Sequence, residues 1–151
     1  MTFLVERDRQ ELQTLFQQLE KNVRLIHFTR FESRVERQGS EKCETCDDTR
    51  RLLEELASIS EKVELEVHDF DAETPLAKQY GVDRVPALII SSEVAKGRAR
   101  YFGIPAGYEF STIVGAILDA SKGTTDLRPE TKETVATIHK DIHIQVFVTP
   151  T

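Results

Sequence analysis

Tryptophan is missing altogether, methionine and asparagine occur once each, and the 151 residues hold only two cysteines. Two cysteines cannot build a disulfide-dense secreted scaffold, and by themselves they fall short of the four ligands of a structural zinc site. Seven glycines and five prolines are too few for a collagen-like or low-complexity chain. No apolar run reaches the roughly 18 residues that a membrane helix needs. The opening MTFLVERDRQ lacks a basic-then-apolar leader, which points to the cytoplasm. Positive charge is also scarce in one place. Residues 41–73 carry twelve Asp/Glu against four Lys/Arg, while the whole chain is only -6. A segment that negative repels phosphate, so nucleic acid is excluded as a partner.

What is present is 39% hydrophobic residues, enough for a core. Leu12, Leu15, Phe16 and Leu19 are spaced as one helix face, with Asp8 and Glu11 in a capping-box pattern. VRLIHFTRF (23–31) reads as a buried strand and the polar residues 32–42 as a loop. Leu52, Leu53, Leu56 and Ile59 mark a second helix beginning near Cys43. VELEVHDF (63–70) alternates like a strand. Thr74-Pro75 opens a short helix that Gly81 closes, in the manner of an N-cap followed by a first-turn proline. Residues 87–92 and 98–102 form two strands joined by a turn containing Lys96-Gly97. Phe110, Ile113, Val114, Ile117 and Leu118 make a helix stripe ended by Gly123. Pro129 starts a further helix to about residue 140, and IHIQVFV (142–148) is a last alternating strand. Strand-helix-strand implies a parallel pair, and the later hairpin adds antiparallel strands. The class is therefore α/β with a mixed sheet.

The strongest chemical motif is Cys43-Glu-Thr-Cys46. At a helix start, unpaired N–H groups and the positive dipole end favour a thiolate on Cys43. In a reducing compartment such a pair is redox-active: Cys43 attacks a target disulfide and Cys46 resolves it. Zinc is outweighed, because His27, His68, His139 and His143 are scattered without ligand spacing. Two inert helix cysteines are the other plain reading, and the strand-helix-strand context weighs against it. Val85-Pro86, immediately before a strand, adds a second clue. Proline there cannot donate to the ladder, and a cis bond would free neighbouring backbone groups for a peptide.

Together, the strand, Cys43-x-x-Cys46, and Tyr80-Gly-Val-Asp-Arg-Val-Pro86 resemble a thioredoxin-like fold. The stretch Tyr101-Phe-Gly-Ile-Pro-Ala-Gly-Tyr-Glu-Phe110 makes the chain similar to the glutaredoxin-like protein disulfide oxidoreductases, which carry two such units in tandem. The N-terminal domain of the alkyl hydroperoxide reductase flavoprotein subunit shares the layout, but its first unit usually lacks the cysteines. The resemblance implies a central mixed β-sheet flanked by helices in a unit over residues 1–123. Residues 124–151 would hold the first helix and strand of a second unit, ending where its C-P-x-C is expected, so the chain reads as truncated. It also implies disulfide exchange without a bound cofactor or metal, the redox-active disulfide serving instead, and Val85 and Pro86 as the platform for protein or small disulfide substrates. Electrons would come from a flavin-dependent reductase.

Two departures from a typical thioredoxin follow. Glu44, Asp47 and Asp48 crowd the pair with negative charge, which disfavours the Cys43 thiolate, and Arg50 and Arg51 offset them only in part. The preceding strand supplies no carboxylate, its ionisable residues being Arg24, His27 and Arg30. His27 as substitute proton acceptor is outweighed by a histidine packed in the sheet. A scaffold domain docking a second redox unit is the rival function, and a relay within a peroxide-reducing assembly a third. The unpaired last strand invites self-association.

Overall fold

The computed structural model describes residues 2–31, 42–95 and 99–149. Among the described residues, five helices and four strands follow in the order α1 (Glu6–Phe16), β1 (Val23–Thr29), α2 (Cys46–Ala57), β2 (Val63–Asp69), α3 (Thr74–Tyr80), β3 (Ala87–Ser92), β4 (Ala99–Phe102), α4 (Tyr108–Lys122) and α5 (Pro129–Ala136). The sheet order is β2-β1-β3-β4. β1 runs parallel to β2 and antiparallel to β3, and β4 is antiparallel to β3. This is the mixed sheet that the strand order implies.

The strand period of two distributes β1 and β3 over two cores. Val23 and Leu25 of β1, with Leu88 and Ile90 of β3, pack under α1, α2 and α4 through residues such as Phe16, Leu53 and Ile117. Ile26, Phe28, Ala87 and Ile89 face the other way, onto Ala77 of α3 and Val82. β1 is covered on both sides, which accounts for its near-continuous apolar run. Ser121 locks α4 to the entry of β1: its buried hydroxyl donates to the Lys21 carbonyl at 2.7 Å and accepts from the Glu20 and Lys21 amides.

Several boundaries differ from those the pattern suggests. α1 begins at Glu6 after Val5, so Asp8 lies within the first turn and makes no side-chain cap. The Glu55 carboxylate holds that end instead, accepting from the Phe3 and Leu4 amides at 2.9 and 3.0 Å. Thr74 is likewise inside α3, whose N-cap is Glu73, while Gly81 does end the helix at φ 68°. Its left-handed backbone is what glycine adopts without strain. The loop 32–42 and the Lys96-Gly97 turn fall largely on residues 32–41 and 96–98, outside the described residues.

The larger correction lies at the C-terminal side. α5 stops at Ala136, and residues 142–148, expected as a strand, join no ladder. Alternation makes a segment suited to a sheet, but a strand exists only through its partner's backbone groups. Here no neighbour supplies them among the described residues, and the segment is exposed throughout.

Candidate active site

β1, α2 and β3 converge at one corner of the sheet. α2 begins at Cys46, with Thr45 as N-cap, so Cys43 precedes the helix rather than opening it as expected. The turn between them closes a disulfide from Cys43 to Cys46, with Cα atoms 5.5 Å apart. The two sulfurs differ in access. Cys46 is 1% exposed, whereas Cys43 is half-buried.

The end of β1 holds the buried cysteine. The Arg30 amide donates to Cys46 Sγ at 3.4 Å, and the Thr29 hydroxyl points to the Cys46 carbonyl at 3.5 Å. Arg30 is fixed in turn by Asp71, at 2.8 and 3.1 Å, and lies over the Phe70 ring. Neither Thr29 nor Arg30 stands out in the sequence as a site residue. Their one signal is position, at the end of the strand that leads to the cysteines.

The Val85-Pro86 peptide bond is cis. Phe28 pairs with Ala87, so the same antiparallel register sets Pro86 beside Thr29, the residue that touches Cys46. Pro86 is buried, Val85 is half-buried, and the Pro86 carbonyl accepts from the Gly103 amide at 2.9 Å. The motif over 101–110 thus returns β4 to the same corner. There Gly103, at φ 101°, occupies a conformation that side chains disfavour. The Tyr101 hydroxyl donates to the Ile104 carbonyl at 3.3 Å, and burial raises its pKa.

His27 is fully buried one step back along the same face of β1 as Thr29. Its Nδ1 lies 2.9 Å from the Ala87 carbonyl, which can only accept, so Nδ1 carries the proton and Nε2 the lone pair. Nε2 has no partner. Burial pushes the imidazole pKa down to about 4, with the Arg50 charge adding to the effect and the Ala87 bond opposing it. His27 is therefore a neutral packing group that ties β1 to the residue after Pro86.

The acidic residues around the pair are not equivalent. Asp47 is bound by Arg50 at 2.5 Å and Arg51 at 2.8 Å, and the Arg50 hydrogen bond holds its carboxyl below the usual carboxylate range. Arg50 also bridges to Glu54 at 2.6 Å. Glu44 and Asp48 are exposed. No group of His, Cys, Asp or Glu among the described residues could hold a metal ion. No helix of the described residues is long and apolar enough to cross a membrane.

A closed C-x-x-C at a helix start, set against a cis-proline corner of a mixed sheet, defines a thioredoxin-type redox centre. The sequence matches the thioredoxin domain family over residues 35–115, and the chain belongs to that family. Within that fold, Cys43 and Cys46 form a close, bonded pair. Among solved structures, it is similar to the protein disulfide oxidoreductase from Aeropyrum pernix, at 25% identity and a TM-score of 0.73, covering 91% of this chain and 56% of that one. The NTD_N/C domain of the alkylhydroperoxide reductase AhpF from Enterococcus faecalis shares the fold at 23% identity and a TM-score of 0.73, covering 88% of this chain and 60% of that one. The chain thus spans less than two thirds of the length of either. No curated protein matches the sequence.

Proposed function

We propose that this chain reduces protein and small-molecule disulfides, with Cys43 as the attacking thiol and Cys46 as the resolving thiol. The unequal access of the bonded sulfurs carries the reading: one is half-buried at the surface and the other 1% exposed under β1. In the reduced pair, the Cys43 thiolate attacks one sulfur of a substrate disulfide, and the other leaves as a thiolate that takes a proton. Cys46 then gives up its proton and attacks Cys43 Sγ, which breaks the mixed disulfide, releases the second substrate thiol and restores Cys43–Cys46. Two electrons pass from the pair to the substrate, and no bound cofactor takes part. An external dithiol or a flavin-dependent reductase would return them.

Val85 and Pro86 support this scheme as a backbone platform, because they lead directly into β3 where its register approaches Thr29. A structural role for the disulfide fits less well. Its sequence separation is 3, so it closes too small a loop to restrain the unfolded chain much. A reducing compartment such as the cytoplasm suits a pair that cycles.

Insulin reduction by wild type and by Cys43→Ser tests the reading. Wild type should accelerate precipitation of the insulin chains and Cys43→Ser should not. Equal rates would overturn it.

A further inference from the structure

The peptide unit between Thr29 and Arg30 is held on both sides. Its carbonyl accepts from the Phe70 amide at 2.9 Å, and its N–H donates to Cys46 Sγ at 3.4 Å. The first bond polarises the unit and strengthens the second, since hydrogen bonds in a chain reinforce one another. Beside it, the Arg30 guanidinium grips the Asp71 carboxylate with two bonds, at 2.8 and 3.1 Å, and lies over the Phe70 ring. Phe70 and Asp71 thus clamp one residue through both backbone and side chain. We propose that Asp71 is a positioning residue for disulfide exchange: by fixing Arg30, it keeps the Arg30 amide on the sulfur that leaves when the Cys43–Cys46 bond opens. This rests on Cys43 being the sulfur attacked, as in the function proposed above.

The clamp is itself anchored. The Asp69 carboxylate accepts from the Asp71 and Ala72 amides at 2.9 and 3.2 Å, and the Asp69 amide donates to Glu73. The Thr74 hydroxyl donates to the Asp71 carbonyl at 3.3 Å. The Arg30 and Asp71 side chains are 20% and 33% exposed, so this bidentate pair is more sheltered than a surface ion pair.

When an external thiolate attacks Cys43 Sγ, a new S–S bond forms there and the old one breaks. The electron pair of the broken bond stays on Cys46 Sγ, which later takes a proton from solvent. The second thiol of a dithiol reductant then attacks its own sulfur in the mixed disulfide, releasing Cys43 and carrying away the oxidised reductant. An N–H bond to Cys46 strengthens as its negative charge develops, and a stabilised thiolate leaves faster. Removing Asp71 separates two roles by sign. An Arg30 charge acting through space would then favour the Cys46 thiolate more and speed opening, whereas a loosened amide slows it.

Reduction of the oxidised chain by dithiothreitol reads this step without a protein substrate. Salt at 1 M cuts the screening length to about 3 Å and isolates the positional effect. Asp71→Ala should slow reduction by about three- to tenfold. Asp71→Glu keeps the charge and both oxygens and should stay within about a factor of two. In a Cys43→Ser background, Asp71→Ala should raise the pKa of the remaining Cys46 thiol by about half to one unit. Thermal melting should show both Asp71 variants folded. With Asp71 intact, the Arg30 amide proton should shift downfield as Cys46 titrates, a check that does not depend on how the variants fold. An unshifted amide proton, an Asp71→Ala rate equal to or above wild type, or an unmoved Cys46 pKa would overturn the proposal. Absent insulin reduction with these effects intact would count against the proposed function and still support the clamp.

Discussion

The corner around Cys46 and the segment after α5 are both rich in β-branched and apolar residues, yet they end in opposite states. At the corner, three elements each satisfy the next. Thr29 of β1 and Arg30 just past its end reach Cys46, His27 reaches Ala87, and Gly103 reaches Pro86. Past α5, a segment of equal strand character stays exposed. The difference shows that alternation specifies a capacity, and that only backbone partners from distant sequence turn capacity into structure. It also separates two kinds of importance. The corner holds the proposed chemistry and part of the core, whereas the segment joins neither core among the described residues.

The largest effect should separate them by activity. Cys43→Ser should lower disulfide reduction by at least about a hundredfold, since it removes the nucleophile. Val146→Lys should leave the rate within a factor of two, as measured by the same insulin assay. A comparable loss in both would erase the distinction. Stability should divide in the same direction. Leu53, fully buried under β1, should cost about 2–5 kcal/mol on replacement by alanine. Val146→Ala, at 79% exposure in wild type, should stay within about 0.5 kcal/mol. Urea unfolding measures both.

The sheet was legible because each of its strands announces itself by run or alternation, and Gly81 and Gly123 punctuate the helices where the backbone turns left-handed. The disulfide pair and the cis-proline were legible as motifs, one from C-x-x-C and one from Val-Pro before a strand. Three features were not. Cys43 lies ahead of α2 because helix starts depend on which carbonyl accepts first, and the Thr49 amide bonds to Thr45. Asp8 looked like a cap, but Glu55, far along the chain, does that work at α1. The strand over 142–148 failed because its partner is a property of space, not of local spacing.

His27 sharpens the comparison by pH. Its pKa falls from 6.5 to about 4 on folding, so the unfolded chain takes up the proton first as pH drops. Stability from this group is complete above pH 6.5 and is lost between 6.5 and 4, by about 3 kcal/mol in all. Below pH 4 both states are protonated and the loss stops. Across that window, the urea midpoint of wild type should fall more steeply than that of His27→Gln, whose amide can still donate to the Ala87 carbonyl. Parallel slopes would show that the imidazole charges without penalty. Carboxylates held low in the fold, such as Glu55 and Glu66, are common to both proteins and cancel in the difference.

The smallest effect concerns the acidic rim. Its formal charge suggests a brake on Cys43, but Asp47 is already answered by Arg50 and Arg51, and Arg50 also holds Glu54. The brake should therefore be mostly released while Arg50 is present. Arg50→Met removes one positive charge in the first turns of α2 and leaves Glu54 and part of Asp47 uncompensated. Like charge near a thiolate disfavours it, so alkylation of reduced Cys43 at neutral pH should slow by about two- to fivefold. Arg50→Lys should restore most of the rate. High salt should shrink the difference, because the screening length falls to about 3 Å at 1 M. A rate unchanged in Arg50→Met would mean that solvent already screens the rim from the sulfur. In that case access alone, through the half-buried side of Cys43, would set its reactivity.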